Sequence, residues 1–203
     1  LQSKENETRL KVYKSAQSHH IEAMTTDWPR FNGPNDNASS PESHLLRDWG
    51  DGKPEVLWEL TKGEGYASPA VAQGILVLFH RKEGMEIIEG LNSETGQILW
   101  AYKYPVEYRD RYGYSNGPRS SPVINDNYVY AHGVTSWLSC IHLKTGKLIW
   151  KRDLKNEFGI PDYFFGKGSN PIIFEKHLIL NVGGSNNRCV VAFNKLSGKT
   201  EWI

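Results

Sequence analysis

Two segments of the sequence combine aromatic rings with cationic and amide side chains, and neither matches a helix or strand pattern. The segment DRYGYSNGPRSSP at 110–122 contains Tyr112, Tyr114, Asn116 and Arg119, and DYFFGKGSN at 162–170 contains Phe165 and Lys167. Stacking faces beside positive charge suit planar or anionic ligands such as sugars, carboxylates or a quinone. The alternative is that the rings pack loop against sheet and that Arg119 pairs with a neighbouring carboxylate.

A second group of candidates lies in three segments that are predicted to be loops between strands and to reach the same face, HRKEGME at 80–86, AHGVTSW at 131–137 and VGGSNNRC at 182–189. These candidates are His80, Arg81, His132 and Arg188. No Ser/His/Asp order, carboxylate pair or phosphate loop stands out, and the two cysteines have no zinc-ligand spacing. The sequence therefore identifies no catalytic residue and no metal ligand, and it leaves open whether the protein is an enzyme.

Composition and charge narrow the class of protein. The 24 Lys and Arg residues almost balance the 23 Asp and Glu residues and are scattered through the chain, which argues against a nucleic-acid partner. No apolar run reaches the roughly 18 residues of a membrane span. The chain of 203 residues starts at Leu1 and shows no signal peptide. Its 19 glycines and many aromatic residues favour strands over helices.

Internal repeats define the elements that position the candidates. The segments GLNSETGQILW at 90–100, CIHLKTGKLIW at 140–150 and AFNKLSGKTEW at 192–202 align without gaps. Each begins with a small residue and has a glycine four residues before a tryptophan. The aligned pairs are Gly96 with Trp100, Gly146 with Trp150, and Gly198 with Trp202.

Each repeat also contains a proline followed by two apolar runs, as in SSPVINDNYVYAH at 120–132. These runs predict a hairpin, and a third strand, a glycine turn and a short tryptophan strand complete the unit. We therefore predict an all-β fold of four-stranded antiparallel β-propeller blades. The three blades are expected at about 66–115, 116–165 and 166–203.

The repeats resemble the tryptophan-docking motif A-x-D-x-x-T-G-x-x-x-W of pyrroloquinoline-quinone (PQQ) type propellers, in the quinoprotein alcohol dehydrogenase-like superfamily. The resemblance covers about residues 54–203, and WPRFNGPNDNASS at 28–40 is similar to the opening of PQQ-like repeat proteins. It implies that Trp100, Trp150 and Trp202 are structural and dock against the next blade. The aspartate of the motif is replaced by Asn92, His142 and Asn194, which we expect to hydrogen-bond the turn.

The resemblance also bears on domain organisation. Propellers of this type have seven or eight blades, so the chain is expected to be an incomplete, N-terminal part whose remaining blades are missing or supplied by further chain; a short arc that closes by self-association is the alternative. Residues 1–27, including the solvated pair His19-His20, are expected to form a mobile or helical leader. Residues 28–65 form an N-terminal extension with an outer propeller strand at Trp58, and 66–203 form the blades.

Two functions follow from the resemblance. The first is a non-catalytic binding or assembly scaffold for a protein or glycan, located in the periplasm or outside the cell. The alternative is a fragment of a PQQ- and calcium-dependent alcohol or sugar dehydrogenase. No cofactor is evident in the motifs of this chain, and the adjacent cysteines typical of such dehydrogenases are absent from it. In propellers, ligands usually meet the face where the connections between blades converge, which is where the two aromatic segments lie.

Overall fold

A computed structural model describes residues 9–15, 25–43, 45, 48–50 and 52–203 of the chain, and their regular structure is almost entirely β. Two short strands, β1 (Leu10–Val12) and β2 (Trp58–Leu60), pair with each other. The first large sheet contains β3 (Ala70–Ala72), β4 (Ile75–Lys82), β5 (Met85–Asn92) and β6 (Ile98–Pro105). The second contains β7 (Val123–Asn125), β8 (Tyr128–His132), β9 (Trp137–His142) and β10 (Leu148–Asp153), and a short helix, α1 (Leu154–Phe158), follows it. The third contains β11 (Ile172–Phe174), β12 (His177–Asn181), β13 (Val190–Asn194) and β14 (Thr200–Trp202).

Every large sheet is an antiparallel meander in which consecutive strands are neighbours. The sheets span residues 70–105, 123–153 and 172–202, so one sheet lies within each predicted blade interval. This topology confirms the predicted all-β fold of four-stranded propeller blades.

The asparagines and glycines of the repeats form the tight turns. The side-chain oxygen of Asn92 accepts hydrogen bonds from the backbone N–H groups of residues 94 and 95, and Asn194 does the same for residues 196 and 197. In the second sheet, His142 Nδ1 lies 3.2 Å from the hydroxyl of Thr145. Asn92 and Asn194 therefore hydrogen-bond their turns as predicted, with side-chain oxygens that replace missing backbone acceptors. The imidazole of His142 contacts a side-chain hydroxyl of its own turn instead.

The small residue of each repeat lies directly across the sheet from the tryptophan. The opposed pairs are Gly90 with Trp100, Cys140 with Trp150, and Ala192 with Trp202. A Cβ atom on Gly90 would lie 2.2 Å from the Trp100 ring, so the first repeat requires glycine at this position. The repeated small residue is thus explained by the space that the indole needs beside the third strand.

Each of three tryptophans also covers the glycine turn of the following sheet. A Cβ atom placed on Gly96 would lie 2.6 Å from Trp58. One placed on Gly146 would lie 2.8 Å from Trp100, and one placed on Gly198 would lie 2.7 Å from Trp150. The indole N–H of Trp100 donates to the Leu143 carbonyl at 2.7 Å, and that of Trp150 donates to Lys195 at 3.0 Å. Trp202 is about half exposed.

Two buried clusters join the three sheets. One lies between the first and second sheets and includes Val77, Phe79 and Ile141; the other lies between the second and third sheets and includes Tyr130 and Phe193. Burial of apolar surface between successive sheets is the main stabilising force in a repeat that cannot cover both of its faces.

The N-terminal region differs from the prediction. Residues 10–12 form β1 and pair with β2, so the expectation of a leader without β structure is wrong for these three residues. Arg9 beside β1 forms two hydrogen bonds to Glu89 of β5, at 2.9 and 3.0 Å, which hold β1 against the first sheet. The rest of the predicted leader that lies in 1–8 and 16–24, including His19-His20, is outside the described residues.

The segment around Trp28 runs along the inner strands. Trp28 exchanges two backbone hydrogen bonds with Val71 of β3, and the Pro29 carbonyl accepts from the Ile124 N–H of β7 at 2.8 Å. The N-terminal extension therefore links the first two sheets at their innermost strands. Within the described part of the chain, no helix has the length and apolar character needed to cross a membrane.

Candidate functional site

The candidate residues lie on or near the two long connections between sheets. Because β6 continues to Pro105 and β10 to Asp153, these connections span 106–122 and 154–171. Both leave their sheets at the ends of the outer strands, so they meet at one end of the stacked sheets.

Asp110 organises the first connection. Its Oδ1 accepts from the backbone N–H groups of Tyr112 and Tyr114 at 2.9 and 3.2 Å, and its Oδ2 accepts from Arg119 at 2.7 Å. Burial opposes ionisation of this carboxyl group, but the backbone hydrogen bonds and the arginine charge outweigh it and lower the pKa of Asp110. The carboxylate thereby holds both tyrosine backbones in place.

The Arg119 guanidinium donates its hydrogen bonds to groups of its own loop and is largely shielded from solvent. Its guanidinium also donates to the carbonyls of Gly117 and Ser115 at 2.8 and 2.9 Å, and it lies 5.3 Å from the ring centre of Tyr108. The side chain is 12% exposed. The structure thus agrees with the alternative in which Arg119 pairs with a neighbouring carboxylate, and Arg119 is not a free cation for a ligand.

Asn116 has a similar structural role. Its amide oxygen accepts from the Asp110 N–H at 2.9 Å, and its backbone and side-chain N–H groups donate to Glu64 at 2.7 and 2.9 Å. Glu64 in turn exchanges two backbone hydrogen bonds with Arg81 of β4. These contacts join the first connection to the segment before β3, and sequence reasoning assigned no role to Asp110 or Glu64.

The exposed aromatic rings of both connections meet. Tyr112 lies 5.7 Å from Phe165 and 6.4 Å from Phe164, and Tyr114 lies 6.4 Å from Phe165 (ring centres). All four side chains are more than half exposed, and we call them the aromatic surface. Of the predicted binding residues, Tyr112, Tyr114 and Phe165 are therefore brought together, and Phe164 joins them.

Lys167 lies beside this surface but is almost buried. Its ammonium donates to the Val182 carbonyl at 2.7 Å and lies 3.9 Å from the ring centre of Tyr163. Burial lowers the pKa of Lys167 to about 8. An open cavity of about 440 Å³ borders the same segment and is lined by residues 163–169, Asn181 and Gly183.

His80 and Arg81 lie within β4 and not in a loop, so their predicted position is wrong. His80 is fully buried; the Gly63 N–H donates to its Nδ1 at 3.1 Å, so Nε2 carries the proton and donates to Glu89. Burial alone would raise the pKa of Glu89, but hydrogen bonds from His80 and Arg9 and the charge of Arg9 lower it to about 2. Arg81 donates to the Val106 carbonyl at 3.1 Å.

His132 and Arg188 are also separate from the aromatic surface. His132 is fully buried, with Nδ1 3.1 Å from the Ser169 carbonyl, and burial lowers its pKa to about 4. Its Nε2 has no hydrogen-bond partner among the described residues. Arg188 makes a long contact of 3.5 Å to the Glu157 carbonyl.

Comparison with known proteins identifies the family. Residues 48–203 match the family model described as outer membrane protein assembly factor BamB. The chain belongs to this family of PQQ-like propellers. Membership confirms the resemblance that the repeats indicated, and no curated protein matches the chain significantly.

Three solved structures illustrate how this BamB-family chain relates to longer proteins. BamB from Moraxella catarrhalis is 20% identical, with a TM-score of 0.49 over 72% of this chain and 41% of that one. Quinohemoprotein alcohol dehydrogenase from Comamonas testosteroni is 19% identical, with a TM-score of 0.49 over 70% and 21%. A europium-containing methanol dehydrogenase is 16% identical, with a TM-score of 0.48 over 68% and 24%. The chain spans less than half the length of these proteins.

The dehydrogenase alternative requires side chains that could bind a calcium ion. No group of three or more His, Cys, Asp and Glu side chains among the described residues could hold a metal ion. Cys140 is buried, Cys189 is exposed, and both are free thiols. The buried carboxylates within the described ranges are Asp110, Glu86 and Glu89, and each already accepts hydrogen bonds from protein groups.

Proposed function

We propose that the protein is a non-catalytic propeller scaffold that binds a partner protein through the aromatic surface. The observation that carries this proposal is the meeting of four exposed rings from two connections, the first of which has its backbone fixed by Asp110 and Asn116. Rigid aromatic side chains contribute large contact area at low entropic cost, and they are common in protein interfaces. An exposed patch of this kind on a folded domain marks an interaction site.

The family description supports the same proposal. An outer membrane protein assembly factor acts by binding other proteins, and the motifs of this chain are architectural. We further propose that the contacts of Trp58, Trp100 and Trp150 with the next glycine turns are the docking interactions of the family, which keep the sheets aligned. A periplasmic or extracellular location belongs to the same proposal.

Site-specific photocrosslinking in the native host tests the partner. A benzophenone amino acid is placed at Tyr112 or Phe165 of the full-length protein, and the matched control is Leu196, which is exposed in the β13–β14 turn at the other end of the sheets. We expect a discrete protein adduct from the first two positions and none from the control. Equal labelling at all three positions, or none at any, would contradict the proposal.

Two other outcomes separate the remaining functions. If no protein adduct forms but cell-envelope glycans bind and Tyr112→Ala abolishes that binding, the partner is a glycan. The dehydrogenase alternative is tested by adding PQQ and calcium to the full-length protein and measuring bound-cofactor absorbance and alcohol-dependent dye reduction. Saturable quinone binding with dye reduction would replace the scaffold proposal with an enzyme.

A further inference from the structure

A second cavity, of about 260 Å³, borders the same 163–167 segment as the larger one. It is enclosed by three loops: residues 107–111 of the first connection, 134–136 between β8 and β9, and 155–167 of the second connection. Its volume is near the lower end of small-molecule sites. The cavity is therefore of the size to hold one small ligand rather than a polypeptide segment.

The charged side chains of this cavity are mainly positive. Four cationic residues line it (Arg109, Arg111, Lys155 and Lys167), against two acidic ones (Glu107 and Asp162). Lys155 pairs with Asp162 at 2.6 Å, and its hydrogen bond and charge, together with the charge of Arg111, lower the pKa of Asp162. Asp162 is thus ionised and already paired at neutral pH.

The two arginines have the more available charges. Arg109 is exposed and forms no hydrogen bond or ion pair with any described residue. Arg111 is exposed, and its guanidinium carbon lies 5.2 Å from the ring centre of Phe164. A guanidinium held against an aromatic face keeps its outward N–H groups free, and such groups bind carboxylate or phosphate with two parallel hydrogen bonds.

The remaining wall of the cavity is apolar or aromatic. Tyr108 and Tyr163 line it together with Phe164, and Ile160 and Pro161 contribute aliphatic surface. The hydroxyl of Tyr108 lies 3.5 Å from the Phe164 carbonyl, which links the two connections across the cavity. Aromatic faces beside a cationic group suit a ring that carries an acidic substituent.

We propose that this cavity binds a small ring compound bearing a carboxylate or a phosphate, such as a uronic acid or a sugar phosphate. The two guanidinium groups bind the oxyanion, and the aromatic wall contacts the ring. This site goes beyond the scaffold function, because it is a small-molecule site that shares only Phe164 with the aromatic surface.

Isothermal titration of the full-length protein tests the site with four probes. Glucuronate and glucose 6-phosphate carry the two oxyanions on a ring, glucose lacks the charge, and inorganic phosphate lacks the ring. We expect one or both acidic sugars to bind, with weaker binding at higher salt and none for glucose. The stronger of the two identifies the oxyanion. Equal binding of glucose, no binding of either acidic sugar, or phosphate binding as tightly as glucose 6-phosphate would overturn the proposal.

The double variant Arg109→Gln/Arg111→Gln provides the residue-level test. Charge-assisted hydrogen bonds of this kind are worth about ten- to a hundredfold in affinity, so a loss of that size is expected. Lys144→Gln is the matched control, because Lys144 is an exposed cation in the turn between β9 and β10, at the other end of the sheet. Unchanged affinity in the double variant would overturn the site. Crosslinking at Tyr112 and Phe165 should persist in the same variant, so the two proposals can fail independently.

Discussion

Alanine substitutions at two glycines with similar positive φ angles measure how much a tryptophan contact between sheets contributes to the free energy of unfolding. Gly146 and Gly74 have φ angles of +67° and +73°, which L side chains rarely adopt. A Cβ atom on Gly146 would lie 2.8 Å from three atoms of Trp100, whereas one on Gly74 would meet no atom within 4 Å. Substitution by alanine therefore imposes the same backbone strain at both positions, but a steric conflict at only one.

The steric conflict sets the expected difference in unfolding free energy between the two variants. The left-handed conformation costs an L residue about 1–2 kcal/mol, and this term applies to Gly74→Ala and Gly146→Ala alike. Trp100 is 9% exposed and is fixed by its hydrogen bond to Leu143, so it cannot move away without loss. Forcing one extra methyl group into such a packed site costs about another 1–3 kcal/mol.

Urea unfolding of both variants, followed by circular dichroism and tryptophan fluorescence, checks the difference. Gly146→Ala should be less stable than Gly74→Ala by about 1–3 kcal/mol, with altered indole fluorescence only in the former. Equal destabilisation by the two substitutions would refute the assignment of Trp100 as a contact that aligns the first and second sheets.

Three further predictions concern ionisable groups. Glu89→Gln should lower the free energy of unfolding by about 3 kcal/mol at neutral pH, because folding lowers the pKa of Glu89 from 4.5 to about 2. This stabilisation is lost as pH falls from 4.5 to about 2, so the unfolding free energies of wild type and variant, measured in urea, should converge over that range. The control Glu175→Gln, at an exposed site, should follow wild type at every pH. Tyr104→Phe removes the hydroxyl that donates to buried Glu86 at 2.6 Å and should lower the free energy of unfolding by about 1–3 kcal/mol. Burial raises the pKa of Glu86, so the stability that this group contributes falls as pH rises above 4.5. The loss measured by urea unfolding should therefore be greater at about pH 8 than at about pH 4. Arg119→Ala should leave the sheets folded by circular dichroism but speed tryptic cleavage in the 106–122 connection; an unchanged cleavage rate would contradict the organising role of the arginine.

The repeat was visible in the sequence because its features are local. The turns need glycine for a positive φ angle and an asparagine oxygen for the free N–H groups, and the tryptophan needs a small residue across the sheet. Each requirement recurs within a dozen residues, so three copies revealed the strands and their order. β1 has no such local requirement, because its position depends on Arg9 contacting Glu89, a partner 80 residues away.

The sequence predicted where the candidate site lies, but it did not predict the role of each residue in it. The sequence located the two aromatic connections because they interrupt the repeat, and the rings of Tyr112 and Phe165 do meet. It placed His80 in a loop because HRKEGME is polar, but β4 continues through that residue. A buried imidazole is tolerated there because its Nε2–H donates a hydrogen bond to Glu89 and a distant backbone N–H donates to its other nitrogen, and neither partner can be read from local sequence.

Local sequence also could not show which cations are free to bind a ligand, because that depends on their hydrogen-bond partners in the fold. Sequence reasoning selected Arg119 and Lys167 because they sit beside aromatic residues, but both cations are used by the fold: one by Asp110 and two carbonyls, the other by the Val182 carbonyl. A cation whose donors are already used by buried acceptors gains little from a ligand, because it must break one hydrogen bond to form another. Arg109 and Arg111 are exposed and have no such acceptors in the part of the chain that the structure describes. Anion recognition at this end of the protein is therefore expected at the smaller cavity, whereas the aromatic surface is left to contacts that need no charge.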